Sequence, residues 1–193
     1  INLGGFANIS YCKEKRRIAY DICPCNIVLN LVSNKKGIDY DKNGRLAKEG
    51  EIIKKLLDNL NDIAFYKAPP PKSLGLEWVK KEIIPHNNSY SGVNNVLRTL
   101  VEHIALQVSK TTKGQLLTLL TGGGANNKFL INRINALSET KLVIPSKKII
   151  EYKEALIFSF LGVLKLRGEI NVFASVTGAK KDHSSGDVYY PKN

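Results

Sequence analysis

The chain has 193 residues, 43% of them apolar and 24% charged, so it can bury a core and is not disordered by composition. Its 29 Lys and Arg outnumber 17 Asp and Glu, for a net charge of +12, and its longest mainly apolar run, Ala155 to Leu164, is about half a membrane span, which excludes a transmembrane helix. Three cysteines exclude a disulfide scaffold and make a reducing cytoplasm the default; with no secretory pattern and no Met, the chain reads as a cytoplasmic piece of a longer protein.

Ile1 to Tyr11 reads as a strand interrupted at Gly4-Gly5, Cys12 to Lys15 as a turn, and Arg17 to Ile22 as a second strand, so a β-hairpin is expected at the start. Past Pro24, Asn26 to Val32 has helical spacing and ends near Gly37. Asp39 to Gly44 is a polar turn. Leu46 to Leu60 is predicted as one helix, with Ile52, Ile53, Leu56, Leu57 and Leu60 on a stripe. Ala68 to Lys72, with three successive prolines, breaks and stiffens the chain. Ser73 is placed to cap a short helix over Leu74 to Ile84, since its side chain can accept from free amides. Pro85 to Gly92 then reads as a loop.

Val93, Val96, Leu97, Leu100, Val101, Ile104, Ala105 and Val108 recur at i, i+3, i+4, i+7 and i+8, the clearest amphipathic pattern in the chain. A strand over Leu116 to Leu120, a helix from about Ala125 to Leu137 and a strand over Leu142 to Ile144 follow. Ala155 to Leu164 is apolar nearly all round, which predicts a buried helix. From Val172 onward the chain reads as mostly irregular. Strands alternating with helices point to an α/β layered fold, a β-hairpin start with helices packed around a mixed sheet.

Five features can carry chemistry. Gly4 and Gly5 remove side-chain bulk, which suits close phosphate approach and equally suits a bulge or tight hairpin. Asp21 ends a predicted strand, where ligands of α/β sheets bind; a carboxylate there can take a proton or hold Mg²⁺, or simply make a turn. Gly122, Gly123 and Gly124 join a strand to a helix, where φ > 0 is allowed and the helix N-terminus attracts anions. Neither a Walker A loop nor G-x-G-x-x-G fits there. Cys23 and Cys25 have no second pair, and His86, His103 and His183 lack ligand spacing, so the thiols read as ordinary and no metal site is expected. His103 lies off the apolar stripe and reads as a surface residue. Glu154 opens the apolar helix and suits either sugar hydroxyls or a plain helix start, with Glu151 a weaker neighbour.

The positive charge raises a nucleic-acid reading. The basic residues, however, come in short scattered clusters such as Lys13 to Arg17, Lys54-Lys55 and Lys180-Lys181, with no interleaved aromatics to stack bases. They read as solvated surface with a modest pull on polyanions, so neither nucleic acid nor membrane is expected as partner.

Seven ordered stretches resemble the anhydro-N-acetylmuramic acid kinase family: Asn2 to Ile9, Tyr20 to Asn26, Asp39 to Gly44, Pro70 to Gly75, Thr121 to Asn127, Tyr152 to Ala155 and Ala174 to Ala179. The resemblance implies an actin-like, ribonuclease-H-like lobe of a two-lobed kinase. Residues 1–193 would be the C-terminal lobe, with the N-terminal lobe and its phosphate loop absent from this sequence. It implies ATP and Mg²⁺ as cofactors, an amino sugar as substrate, the N-terminal lobe and a homodimer mate as partners, and cell-wall recycling in a bacterial cytoplasm. Asp21 would be the general base. Gly4, Gly5 and Asn8 would line the phosphate, Gly122 to Gly124 would flank the nucleotide, and Glu154 and Asn26 would bind substrate. Where the family usually reads Asp-Thr-Gly-Pro-Gly-Asn, this chain reads Asp21-Ile-Cys-Pro-Cys-Asn26. Another sugar kinase of the same superfamily is the rival reading, with a basic nucleic-acid-binding module behind it.

Overall fold

The computed structural model describes residues 1–190; the last three residues of the expected lobe lie outside the described ones. Strand β1 (Asn2–Leu3) reverses at Gly4-Gly5 into β2 (Phe6–Lys13), so the expected single strand from Ile1 to Tyr11 is two strands around a tight turn. Glu14 and Lys15 both take positive φ at the next reversal, the geometry of a two-residue hairpin turn that matches strand twist. The chain returns as β3 (Arg16–Pro24), antiparallel to β2, with Asn8 opposite Asp21 and a register shift between Ala7 and Asn8.

Strands β4 (Leu117–Leu119) and β5 (Lys141–Val143) form a two-stranded parallel sheet. A parallel bridge between Asn2 and Thr121 joins it to β1, through Leu3 N–H to Thr121 O at 2.7 Å and Thr121 N–H to Ile1 O at 2.9 Å. The five strands therefore run β3-β2-β1-β4-β5, and β2 alone opposes the others.

The core is organised by α6 (Val93–Thr112). Of the stripe read from the sequence, Val96, Leu97, Leu100, Val101, Ile104, Ala105 and Val108 are buried and Val93 is partly buried. Helix α1 (Asn26–Ser33) packs on it with Val28, Leu29 and Val32 inward, and α7 (Lys128–Leu137) with Leu130 and Ile134. Each such side chain, fully buried, contributes about 1.5–3 kcal/mol. Glu102 ties α6 to α7: Arg133 donates to both its carboxylate oxygens at 2.8 Å and Arg98 to one at 2.7 Å. Burial alone would push the Glu102 carboxyl up; the two guanidinium groups overcome that and hold it below its usual range.

Several expectations are corrected. The single helix over Leu46 to Leu60 is two short ones, α2 (Arg45–Glu49) and α3 (Lys54–Asp62). Between them Gly50 lies so close to α6 that a Cβ would sit 2.2 Å from Asn94 O. The freed amides of Glu51 and Ile53 donate to Asn95 Oδ1 and Thr99 Oγ1 of α6, so the break is stabilised by tertiary hydrogen bonds that helical spacing cannot report.

Ser73 caps nothing. The helical run starts with α4 (Leu76–Trp78), passes through a π segment (Val79–Ile83), and continues as α5 (Ile84–Asn88) across Pro85, where a loop was expected. Proline lacks an N–H and crowds the carbonyl four residues back; the wider π turn just before it makes room.

His103 is buried at 2% exposure rather than on the surface. Its Nδ1 donates to Asn61 Oδ1 at 2.8 Å, since that oxygen can only accept, and Nε2 accepts from Tyr66 O–H at 3.0 Å. Burial, then the nearby Lys110 charge, lowers its pKa to about 3. The polar network closes against α3, which the stripe of α6 alone does not reveal.

The apolar segment from Ala155 belongs to α8 (Lys147–Leu166), and none of its residues is buried. The end of the described chain is mostly irregular, as expected, with one turn, α9 (Ala174–Thr177), in which Ser175 Oγ donates to Arg17 O at 2.7 Å.

Candidate active site

Three of the predicted segments converge at the end of β1. Gly4 O accepts from Asn26 N–H at 3.1 Å, and Gly5 O from Cys25 and Ile27 N–H at 2.8 and 3.2 Å. The Gly4-Gly5 turn thus satisfies the first amides of α1 with its own carbonyls, where a bound anion would otherwise do so. Asn26 Nδ2 donates to Leu3 O at 3.0 Å. The triple glycine closes over the same residue: a Cβ on Gly122 would lie 2.6 Å from Asn2 Oδ1 and 2.8 Å from the Leu3 backbone, and one on Gly124 would lie 2.8 Å from Leu3 Cβ. Gly122 also takes φ +83. These two glycines are required by close approach of loop to strand.

Gly123 differs. A Cβ there meets nothing nearer than Asn26 Nδ2 at 3.9 Å, because the residue faces a cavity of about 410 Å³. Asn26, Asn30, Tyr40, Lys42, Gly123 and Asn127 line it, bringing α1, the 39–44 turn and the triple-glycine loop together. The loop does not run straight into a helix as expected. Residues Gly123–Asn126 form a 3₁₀ turn, and α7 starts at Lys128 with Asn127 Oδ1 accepting from Leu130 N–H at 3.1 Å. The 39–44 turn is shaped by Asp41, whose carboxylate accepts from Leu46 and Ala47 N–H at 3.0 and 2.9 Å. Tyr40 and Lys42 were not singled out in the sequence, where their turn showed polarity and a place among the seven family-like stretches.

Asp21 sits apart from this cavity. It lies within β3 rather than at its end, half-buried and opposite Asn8. The proline loop holds it from two sides: Asp21 N–H donates to Lys72 O at 3.0 Å, and Oδ2 accepts from Leu74 N–H at 2.7 Å. Among the described residues no donor engages Oδ1. Lys72 acts here through its main chain, while its ammonium donates to Phe65 O at 2.9 Å and stands 4.6 Å over the Phe65 ring. Burial lowers its pKa.

Ile22, Cys23 and Cys25, the residues that replace Thr and Gly of the usual family motif, are all buried in the core. Burial raises the Cys23 thiol well above its usual value, helped by Cys25 and Asp21, and pushes Cys25 up to about 12. Both are free and protonated at neutral pH, so neither is a nucleophile.

Glu154 is exposed, two turns into α8 rather than at its start, so the helix dipole does not favour it there. Its neighbour Lys153 is the better-placed group. Lys153 Nζ donates to Asn2 Oδ1 at 2.6 Å and Thr121 Oγ1 at 2.8 Å, which ties α8 to the strand ends beside the triple glycine. Burial lowers its pKa, partly offset by Glu154. A lysine in a basic chain gave no signal of this; only its place in the Tyr152 to Ala155 stretch did. Among the described residues no group of three or more His, Cys, Asp and Glu could hold a metal ion. No helix of the described residues is long and apolar enough to cross a membrane.

A family model for anhydro-N-acetylmuramic acid kinase matches residues 1–191. An anhydro-N-acetylmuramic acid kinase of Sulfurovum sp. (strain NBC37-1) is 34% identical, with 98% of this chain and 54% of the relative covered. That of Actinobacillus pleuropneumoniae serotype 7 (strain AP76) is 35% identical over 100% of this chain and 55% of the relative. That of Coxiella burnetii (strain Dugway 5J108-111) is 32% identical over 98% and 55%. The chain spans about half the length of the curated relatives it matches.

Proposed function

This chain belongs to the anhydro-N-acetylmuramic acid kinase family, and we propose that it supplies one lobe of an ATP-dependent kinase for a 1,6-anhydro amino sugar in a bacterial cytoplasm. Water adds to C1 of the anhydro ring, the C1–O6 bond breaks, and O6 takes the γ-phosphoryl group of ATP. The products are N-acetylmuramic acid 6-phosphate and ADP, a step of peptidoglycan recycling. The observation that carries this reading is the family match over residues 1–191, with Asp21 and Asn26 kept within the altered motif.

Asp21 takes the proton of the attacking water. Its support is geometric: one carboxylate oxygen is fixed by Leu74 N–H and the main chain by Lys72 O, which leaves the other oxygen for the water. A base held in one orientation lowers the barrier by removing the need to organise it in each turnover.

The cavity beside Asn26, Tyr40, Lys42 and Gly123 is assigned to the nucleotide. Its size and mixed lining suit a nucleotide, Lys42 offers a charge to the phosphates, and Gly123 leaves the wall open. Gly4, Gly5 and Asn8 remain on the phosphate side of the reading, Gly122 and Gly124 shape the loop, and Glu154 with Lys153 beside it faces the sugar. The described residues do not fit a protein-built Mg²⁺ cage. The ion is assigned to the phosphates of ATP, as is usual for Mg²⁺ in kinases, and no step here depends on it.

The strand order β3-β2-β1-β4-β5, with one strand reversed and helices packed against it, supports the actin-like, ribonuclease-H-like reading of the lobe. The test is the full-length kinase supplied with 1,6-anhydro-N-acetylmuramic acid and ATP, read by phosphorus NMR for a sugar 6-phosphate. A panel of other sugars phosphorylated in preference to the anhydro sugar would overturn the substrate; no phosphorylated sugar at all would overturn the activity.

A further inference from the structure

We infer that a second cavity, between the proline loop and the C-terminal end of α6, binds a small anion that carries a phosphate group. It is separate from the cavity assigned to the nucleotide and does not depend on the kinase reading. Tyr20, Tyr66, Lys72, Gln107, Lys110 and Thr111 line a space of about 210 Å³, and no Asp or Glu faces it.

The charge is one-sided. Lys72 and Lys110 converge on the cavity from the proline loop and from α6, and neither pairs with a carboxylate among the described residues. Lys72 is partly buried, 4.6 Å over the Phe65 ring and 5.7 Å over the Tyr20 ring. Its ammonium gives one N–H to Phe65 O at 2.9 Å, and an ammonium has three to give. A cation held partly out of water with no anion beside it is costly, and an anion in the cavity removes that cost.

The neutral lining groups are already committed. Thr111 Oγ1 donates to Gln107 O at 2.8 Å and is hydrogen-bonded to the Tyr20 hydroxyl. Gln107 Nε2 donates to Asn61 Oδ1 at 2.8 Å, and Tyr66 O–H to His103 Nε2 at 3.0 Å. These bonds fix the walls and leave the two lysines as the groups that grip a ligand. Two positive charges with no negative one match a dianion, which a phosphate group supplies and a single carboxylate does not. The space is about half that of the nucleotide cavity, so it takes phosphate or a short phosphate monoester rather than a nucleotide.

Alternation along β3 puts Tyr20 and Ile22 on the face away from Asp21, so this cavity is not the one the base serves. Lys72 joins the two places: its carbonyl accepts from Asp21 N–H at 3.0 Å while its ammonium faces the cavity.

The experiment titrates the full-length protein with inorganic phosphate, glycerol 3-phosphate or acetate, in low-salt buffer without ATP or sugar. Occupancy is read by lysine acetylation and mass spectrometry. At saturating phosphate, acetylation of Lys72 and Lys110 is expected to fall by about fivefold while exposed Lys54 is labelled as before. Acetate is expected to protect at least about tenfold more weakly, since it carries one charge. Lys110→Glu, at an exposed position where the fold is indifferent to the change, is expected to weaken phosphate protection of Lys72 by at least about tenfold. Lys42→Glu, in the nucleotide cavity, leaves it unchanged. Protection by glycerol 3-phosphate identifies a monoester as ligand; protection by inorganic phosphate alone identifies the free ion. No protection of Lys72 and Lys110 overturns the proposal. So does protection of Lys42 in their place, acetate protecting as well as phosphate, or full protection of Lys72 in Lys110→Glu.

Discussion

At Asp21, the hydrogen bond from Leu74 N–H separates positioning from chemistry. Asp21→Asn in the full-length kinase keeps that bond and loses the proton acceptor. kcat is expected to fall by at least about 10²-fold with KM nearly unchanged, because a base acts mainly in the transition state. Steady-state kinetics with the anhydro sugar check this, and an unchanged kcat removes Asp21 from the reaction. Cys23→Ala and Cys25→Ala retain most activity, since both thiols are buried and neutral. Gly123→Ala and Gly124→Ala part company. The first adds a methyl to the cavity wall, so the KM for ATP rises while stability holds; the second drives a Cβ into Leu3 and costs about 1–3 kcal/mol in urea unfolding. His103 sets a pH dependence. Its folded pKa, about 3, lies below the unfolded value near 6.5, so the unfolded state binds the proton first. Stability is full above pH 6.5 and declines as pH falls toward 3, by roughly 2 kcal/mol between pH 7 and 5. Urea midpoints at the two pH values test this, and His103→Gln is expected to flatten the slope.

Among the elements, α6 behaves as its spacing predicts and α8 does not, although both are long and apolar. The difference is what lies beside them. Helix α6 has α1, α3, α7 and β3 to pack on, and its polar residues Thr99 and His103 have partners waiting. Helix α8 is tied to the strand ends through Lys153, and none of its residues is buried. The junction between α2 and α3 makes the same point in reverse: a helical pattern is interrupted because Gly50 meets the backbone of α6. Its φ of −88° is ordinary, so Gly50→Ala acts through the collision with Asn94 alone. A loss of about 1–3 kcal/mol is expected by urea titration, because the clashing atoms are main chain and cannot rotate away. An unchanged midpoint would place the α2–α3 junction elsewhere.

For the whole molecule, the described residues carry a base candidate, Asp21, and a cavity of about 410 Å³ in separate places. Phosphoryl transfer depends on groups that surround the transferred phosphate, and positioning accounts for most of the rate. The purified 193-residue chain is therefore expected to give no sugar phosphorylation above an Asp21→Ala blank in a coupled ADP assay. Clear turnover would mean that one lobe suffices. The +12 charge comes in short clusters scattered along the sequence, and the family match does not favour a nucleic-acid module.

Local patterns by themselves determined the hairpin, the α6 stripe, the strand before the triple glycine and the family to which the chain belongs. Each depends on residues close in sequence: the period of α6, the turn signals between β2 and β3, and short ordered motifs. The location of Asp21 on the sheet was legible; the two main-chain bonds that hold it were not, because Lys72 and Leu74 arrive from a loop some fifty residues away. Tertiary structure alone decided that Gly122 and Gly124 serve packing while Gly123 faces the cavity, since the three are identical in sequence and differ only in what Leu3 leaves free. It decided likewise that His103 is buried and α8 exposed, each opposite to its pattern. Burial is a property of neighbours, and neither the distant partners of His103 nor the exposure of α8 is encoded in the residues next to them.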